Sequence, residues 1–355
     1  MKKFLWAAVW VAAVWGGDPL TMQAETVEPV ASFQGMQVTG IAVADDGRMF
    51  VNFPRWREGV PYSVMEIGRD GARKPYPDPA TNAWEIGDEV VPDRFICVQS
   101  VVAHGGRLYV LDTKNPLMKG IVAPPTIYVY DLNTDALVRT YPLTEAVHLN
   151  SYVNDLRVDD KNDKIYLTDS GAPGLIVLDL VSGGNYRLLD HHPFTTAEVD
   201  QLTIGGVKYA GRVHADGIAL DREHDILYFH PLSGYTLYGI PTGQLIERRI
   251  DEKNIFKLKT PAPDGMIMAE NGDLIMGDLE KNAIVYLTPD RKELRTLAAD
   301  GGICWPDTFA IYDGFLYFTN SRIHEAQGDI SRMVFSVDRV ALPDNQKIFE
   351  KEGAL

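Results

Sequence analysis

One short phrase recurs six times along this chain, and the recurrence constrains the fold more than any other feature. It reads TGIAVADDGRMFV from Thr39, QSVVAHGGRLYV from Gln99 and NDLRVDDKNDKIYL from Asn154. It returns as DGIALDREHDILYF from Asp216, DGMIMAENGDLIMG from Asp264 and DTFAIYDGFLYF from Asp307. Each copy is a short apolar run, a polar turn and a second run of β-branched or aromatic residues, which is the signature of a β-hairpin. Copies begin 43 to 62 residues apart, a spacing that suits one four-stranded blade per repeat. The expected fold is all-β, a six-bladed β-propeller, whose closure removes the sheet edges that invite aggregation.

The repeat also points to a site. Aligned on their first apolar residue, the copies place Thr39, Gln99, Asn154, Asp216, Asp264 and Asp307 in one column. In a propeller the residue entering the innermost strand lies beside the central channel, so these six side chains are expected to converge there. Like charges a few ångströms apart do not all stay ionised without a cation or a proton. The plainer reading is that Asp-Gly and Asn-Asp only supply turn chemistry. Against it, a turn does not require an acid at the same offset in copy after copy. Asn154, Asp216 and Asp264 are hard oxygen donors, a set that selects Ca²⁺ or Mg²⁺ rather than zinc or copper. A cation there would act as a Lewis acid, or simply neutralise the ring.

Met1–Ala24 reads as a secretory signal, with Lys2 and Lys3 before the apolar run Phe4–Val14 and a cleavage site at Met22-Gln23-Ala24. The run is short for a membrane span. Residues 25–355 are therefore expected to be one exported domain, secreted or periplasmic and of bacterial type, monomeric and not inserted in a membrane. The net charge of −15 repels nucleic acid and anionic lipid but says nothing positive about a partner; the acid column makes a small molecule the expected one, with a non-catalytic interaction propeller as the alternative. Cys97 and Cys304 either staple the ring across its first blade or remain two buried thiols. With no adjacent histidine and no CxxC spacing, a thiol enzyme or a zinc site is not expected.

No GxSxG, HExxH, Walker or GxGxxG motif occurs in a convincing context, which removes the common serine-hydrolase, zincin and nucleotide-dependent classes. His214, two residues before Asp216, is the histidine to watch as a proton carrier, with Asp307 as the acid beside it. His191-His192 is a loop pair, and His324 follows the sixth hairpin. The connections around residues 54–84 and 185–211 are long for a propeller, and long loops tend to carry function. Trp305, Trp56 and tyrosines are candidate walls, while His230, Tyr235 and Tyr238 read as strand packing.

The phrases NFPRWREGVPYSV (from Asn52), VNDLRVD (from Val153), IYLTDSGAPGLIVLDL (from Ile165), LYFHPLSGYTLYGIPT (from Leu227) and WPDTFAIYDGFLYFTNSR (from Trp305) resemble the major royal jelly protein / yellow family. The resemblance implies a secreted six-bladed propeller. It also implies dopachrome-type isomerisation or amine binding at one channel end, with Thr308 and Asn320 at the positions of the ligand-contacting residues. Gln99 and Trp305 complete the expected ligand set. A weaker resemblance to gluconolactonase/regucalcin-type propellers implies metal ligands at Asn154, Asp216 and Asp264, with Thr39 standing where those proteins carry a Glu.

Overall fold

The computed structural model describes residues 25–343; Met1–Ala24, read above as an export signal, lies outside them. Among the described residues, short runs alternating about a pleat, broken by Asp, Gly and Pro, form 26 strands and only one α-helix, Thr242–Ile246, of 5 residues. The strands make six four-stranded antiparallel sheets and one separate two-stranded hairpin. The blades cover residues 40–75, 98–142, 153–188, 215–259, 266–298 and 306–341. Their innermost strands contact one another in a closed cycle. The fold is thus the six-bladed propeller that the repeat predicts.

Closure depends on a strand the repeat does not reveal. Val27–Gln34 is the outermost strand of the sixth blade and pairs antiparallel with Val334–Ala341, placing Phe33 opposite Phe335. The two ends of the described residues are therefore joined by backbone hydrogen bonds within one sheet. The terminal MVFSVDRV run completes the last blade as its third strand. Cys97 and Cys304 are free thiols, so the closure is not stapled by a disulfide.

The core is divided among the blade interfaces. Between the third and fourth blades, Tyr166, Leu175 and Val177 meet Ile218, Leu220, Leu227 and Phe229. Burying each Val, Leu, Ile or Phe side chain contributes about 1.5–3 kcal/mol, and comparable clusters fill the other interfaces. Tyr238 stacks on Phe194 and Phe229, with centroids 4.8 and 5.4 Å away. His230 is buried against Thr260 Oγ1 at 3.1 Å, so both aromatics are packing residues, as expected.

The Asp-Gly pairs have an inter-blade cause rather than turn chemistry. A Cβ on Gly217 would lie 2.7 Å from the Asp264 carbonyl oxygen, and one on Gly265 would lie 2.6 Å from that of Asp307. Each glycine admits the backbone of the next blade beside the channel.

A channel-mouth cavity over an acid ring

Four inner strands lose register where a ring residue sits. The shifts fall between Val98 and Ser100, Val153 and Leu156, Ala215 and Gly217, and Pro306 and Phe309. They bracket Gln99, Asn154, Asp216 and Asp307. A β-bulge inserts unpaired backbone and re-aims its side chain, which here turns the residue toward the channel. Asp264 lies just ahead of its strand, Met266–Met268, and reaches the same space. Side chains from neighbouring blades hold the ring backbone. Thr168 Oγ1 donates to the Asp216 carbonyl at 2.7 Å, Thr319 Oγ1 to that of Thr39 at 2.7 Å, and Asn52 Nδ2 to that of Gln99 at 3.0 Å.

Gln99, Asn154, Asp216, Asp264 and Asp307 form the floor of a cavity of about 210 Å³. Trp56, Tyr152, Tyr209 and Trp305 supply aromatic walls. Below the ring the channel narrows to about 10 Å³, lined in part by Ser100, Asp155 and Thr308. The floor and walls are linked. Trp56 Nε1 donates to the Tyr152 hydroxyl, which donates to Gln99 Oε1 at 2.6 Å; Gln99 Nε2 then donates to Asn154 Oδ1 at 2.7 Å. On the other side Trp305 Nε1 donates to Asp264 Oδ2 at 2.6 Å.

Part of the long 185–211 connection folds over this wall. Strands Gln201–Ile204 and Val207–Ala210 pair through Gly205 and Gly206, both at positive φ, the conformation a two-residue hairpin turn requires. Leu202 and Ile204 bury against Leu232, Leu279 and Trp305, and Tyr209 meets Trp305 edge-on at 4.9 Å.

Among the described residues no Lys, Arg or His lines the cavity, so none of them balances its acids. Burial, followed by repulsion from neighbouring acids, pushes Asp216 and Asp307 well above the usual carboxylate range. Burial pushes Asp264 up to about 7, opposed by the Trp305 hydrogen bond. The same charges, after burial, push Tyr209 up to about 12. The three acids titrate as a coupled unit, which shares protons near neutral pH unless a cation replaces them. Asp155, just below, is instead paired with Arg157 at 2.8 Å.

The expected site residues divide. Gln99, Asn154, Asp216, Asp264, Trp305 and Asp307 line the cavity together, and Thr308 lines the narrow space beneath. Thr39 is buried, its Oγ1 accepting from Asn52 Nδ2 at 2.9 Å, and is not in the lining. His214 is not in the lining either; its Nδ1 accepts the Ala197 N–H at 3.1 Å, turning the ring toward a loop. Asn320 is taken up inside the sixth blade, donating to Asp338 Oδ2 at 2.6 Å and the Gly302 carbonyl at 2.8 Å, and accepting from Cys304 N at 2.7 Å. Tyr152 and Tyr209 are wall residues the sequence reading did not single out. Tyr152 stands two residues before Asn154, as Trp305 does before Asp307, so the two-residue strand period was an available signal. Tyr209 arrives on the hairpin and carried none.

Among the described residues, sets of three Cys, His, Asp or Glu side chains converge within 4.8 Å at two places, His148/Asp190/His191 and Cys304/His324/Glu325, and the acid ring is not one of them.

The sequence profile of the family described as Major royal jelly protein matches residues 98–338. A dopaminechrome tautomerase of Drosophila melanogaster is 25% identical over 231 residues, 59% of this chain and 49% of that protein. Major royal jelly protein 3 of Apis mellifera is 25% identical over 258 residues, 64% of this chain and 47% of its own. The chain spans about half the length of the curated relatives it matches. A gluconolactonase structure from Xanthomonas campestris superposes with a TM-score of 0.53 at 12% identity, covering 91% of this chain and 99% of its own. That likeness is one of fold.

Proposed function

The chain belongs to the major royal jelly protein family, and from that premise we propose that its channel mouth binds a small aromatic amine. The observation that carries the reading is the pairing of an acid floor with aromatic walls and, among the described residues, no basic side chain in the lining. A protonated amine over Asp216, Asp264 and Asp307 supplies the missing positive charge, while Trp56, Tyr152 and Tyr209 offer aromatic surface to its ring and its cation; Trp305, fully buried, braces Asp264 from behind. The volume is in scale: a cavity of about 150 Å³ accepts benzene, and this one holds about 210 Å³. Export to the periplasm or cell exterior is part of the proposal and rests on the Met1–Ala24 sequence alone.

Calorimetric titration of the folded protein with dopamine and serotonin tests the reading. Binding that disappears in Asp307→Ala supports it; no heat with either amine sinks it.

A second reading is an enzyme on the same floor, favoured by Asp264 lying near neutrality, where a carboxyl gives and takes protons most effectively. A dopaminechrome-type tautomerisation needs only that: one proton removed from the substrate and one returned, with no change in oxidation state. A metal-assisted lactonase is the other catalytic form. Its ion would be Ca²⁺, and the all-oxygen chemistry of Asn154, Asp216 and Asp264 fits a hard cation. Those residues would hold it, and it would supply neutralisation of the ring and polarisation of a carbonyl. Dopaminechrome and lactone assays, each with and without chelator, separate the amine carrier from both enzymes.

A further inference from the structure

Behind the Trp305 wall lies a cluster that no spacing along the chain predicts. Cys304 precedes Trp305, while His324 and Glu325 follow the sixth hairpin 20 residues later. Two backbone hydrogen bonds, Ser321 N to the Trp305 carbonyl at 3.2 Å and Arg322 N to that of Cys304 at 3.4 Å, dock the loop onto the strand entry. Zinc is not expected from spacing alone, because neither cysteine has a histidine beside it in sequence. The fold supplies one.

We propose that Cys304, His324 and Glu325 form a transition-metal site that takes Zn²⁺ and braces the wall of the channel-mouth cavity. Glu325 Oε1 lies 3.8 Å from Cys304 Sγ and 3.7 Å from His324 Nε2. Ligands around a tetrahedral zinc stand roughly 3.3–3.5 Å apart, given Zn–S near 2.3 Å and Zn–N or Zn–O near 2.0 Å. Both distances are within a few tenths of an ångström of that spacing, and all three donor atoms lie within 4.8 Å of one another. Arg322 takes the other carboxylate oxygen, Oε2, at 2.6 Å, which leaves Oε1 facing the cluster.

His324 has a ring nitrogen free for the metal: it is only 6% exposed and its ring makes no hydrogen bond among the described residues. Nε2, which lies 3.7 Å from Glu325 Oε1, is the ligand nitrogen, and a buried imidazole with no hydrogen bond is uncommon, since buried polar groups are nearly always satisfied. Its ring is instead stacked on Trp305, centroids 5.6 Å apart and planes 17° from parallel. A metal on the imidazole therefore fixes the indole whose Nε1 reaches Asp264. The donor set, one sulfur, one nitrogen and one oxygen, suits zinc and disfavours calcium or magnesium. Three protein ligands leave the fourth position for water.

Cobalt is the probe, because a thiolate–Co²⁺ bond gives a near-ultraviolet charge-transfer band that oxygen and nitrogen ligands do not. The full chain, stripped with chelator and dialysed, is titrated with Co²⁺ and then challenged with Zn²⁺. The expected result is one equivalent of the band, bleached by Zn²⁺, retained in Cys97→Ser and lost in Cys304→Ser. His324→Gln and Glu325→Gln should each weaken Zn²⁺ binding by at least about 10-fold. Circular dichroism confirms that each variant is folded. No band in folded wild-type protein, or a band that survives Cys304→Ser, overturns the proposal. Binding confined to His148/Asp190/His191, which contains no sulfur, gives no such band and counts against it equally.

Discussion

Replacing Asp264 by Asn tests how the ring carries its charge. The change is nearly isosteric and keeps an oxygen to accept the Trp305 Nε1 hydrogen bond. Burial raises the Asp264 carboxyl from 3.8 to about 7, which at 1.36 kcal/mol per unit corresponds to about 4 kcal/mol. The sign follows from proton binding. Between the unfolded value near 4 and the folded value near 7, the native state holds more protons than the unfolded chain. The raised carboxyl therefore costs nothing below pH 4, and stability falls as pH rises toward 7. Asp216 and Asp307 are shifted in the same direction and add to the slope.

In metal-free protein, urea denaturation from pH 4 to 8 should show wild type losing stability over this window. Asp264→Asn should lose less, by up to about 4 kcal/mol, the two being equal near pH 4 and the variant more stable above pH 7. If Ca²⁺ occupies the ring, the order at pH 8 reverses in its presence. Chelator then lowers the wild-type melting temperature, Ca²⁺ restores it by mass action, and Asp264→Asn responds less than a change at the exposed Asp45. Parallel pH curves for wild type and variant would refute the assignment of a raised carboxyl to this position. A melting temperature indifferent to chelator would refute the cation.

Trp305→Phe keeps an aromatic ring beside Tyr209 and His324 but removes the donor to Asp264. It should cost about 1.5–3 kcal/mol and move the pH midpoint of amine binding upward; an unmoved midpoint contradicts the role given to Nε1. Gly265→Ala forces a Cβ to 2.6 Å from the Asp307 carbonyl oxygen, and overpacking of that kind costs about 1–3 kcal/mol. A melting temperature equal to wild type would show that the blades yield there. Deleting residues 25–34 leaves Val334–Ala341 as an open edge and should produce aggregation in light scattering. A monodisperse, equally stable product would mean that closure does not depend on that strand.

Local pattern carried the repeating part of this protein. Alternation over a few residues and turns rich in Asp and Gly encode each hairpin, and the common offset of Gln99, Asn154, Asp216, Asp264 and Asp307 placed them on one channel because every blade is built alike. What the repeat does not contain, the sequence could not place. Val27–Gln34 belongs to no copy, and its partner strand lies some 300 residues away; nothing local distinguishes it from any other alternating run. The bulges that aim the ring inward are register shifts between strands, a property of the pairing rather than of either strand. His214 and Asn320 sat at plausible offsets, yet Ala197 and Asp338 claim their polar atoms, because a side chain's direction is settled by which partners tertiary packing brings near. For the same reason Cys304 meets His324 and Glu325 only once the sixth hairpin has folded, and Tyr209 reaches Trp305 only because an inserted hairpin buries Leu202 and Ile204 above the channel wall.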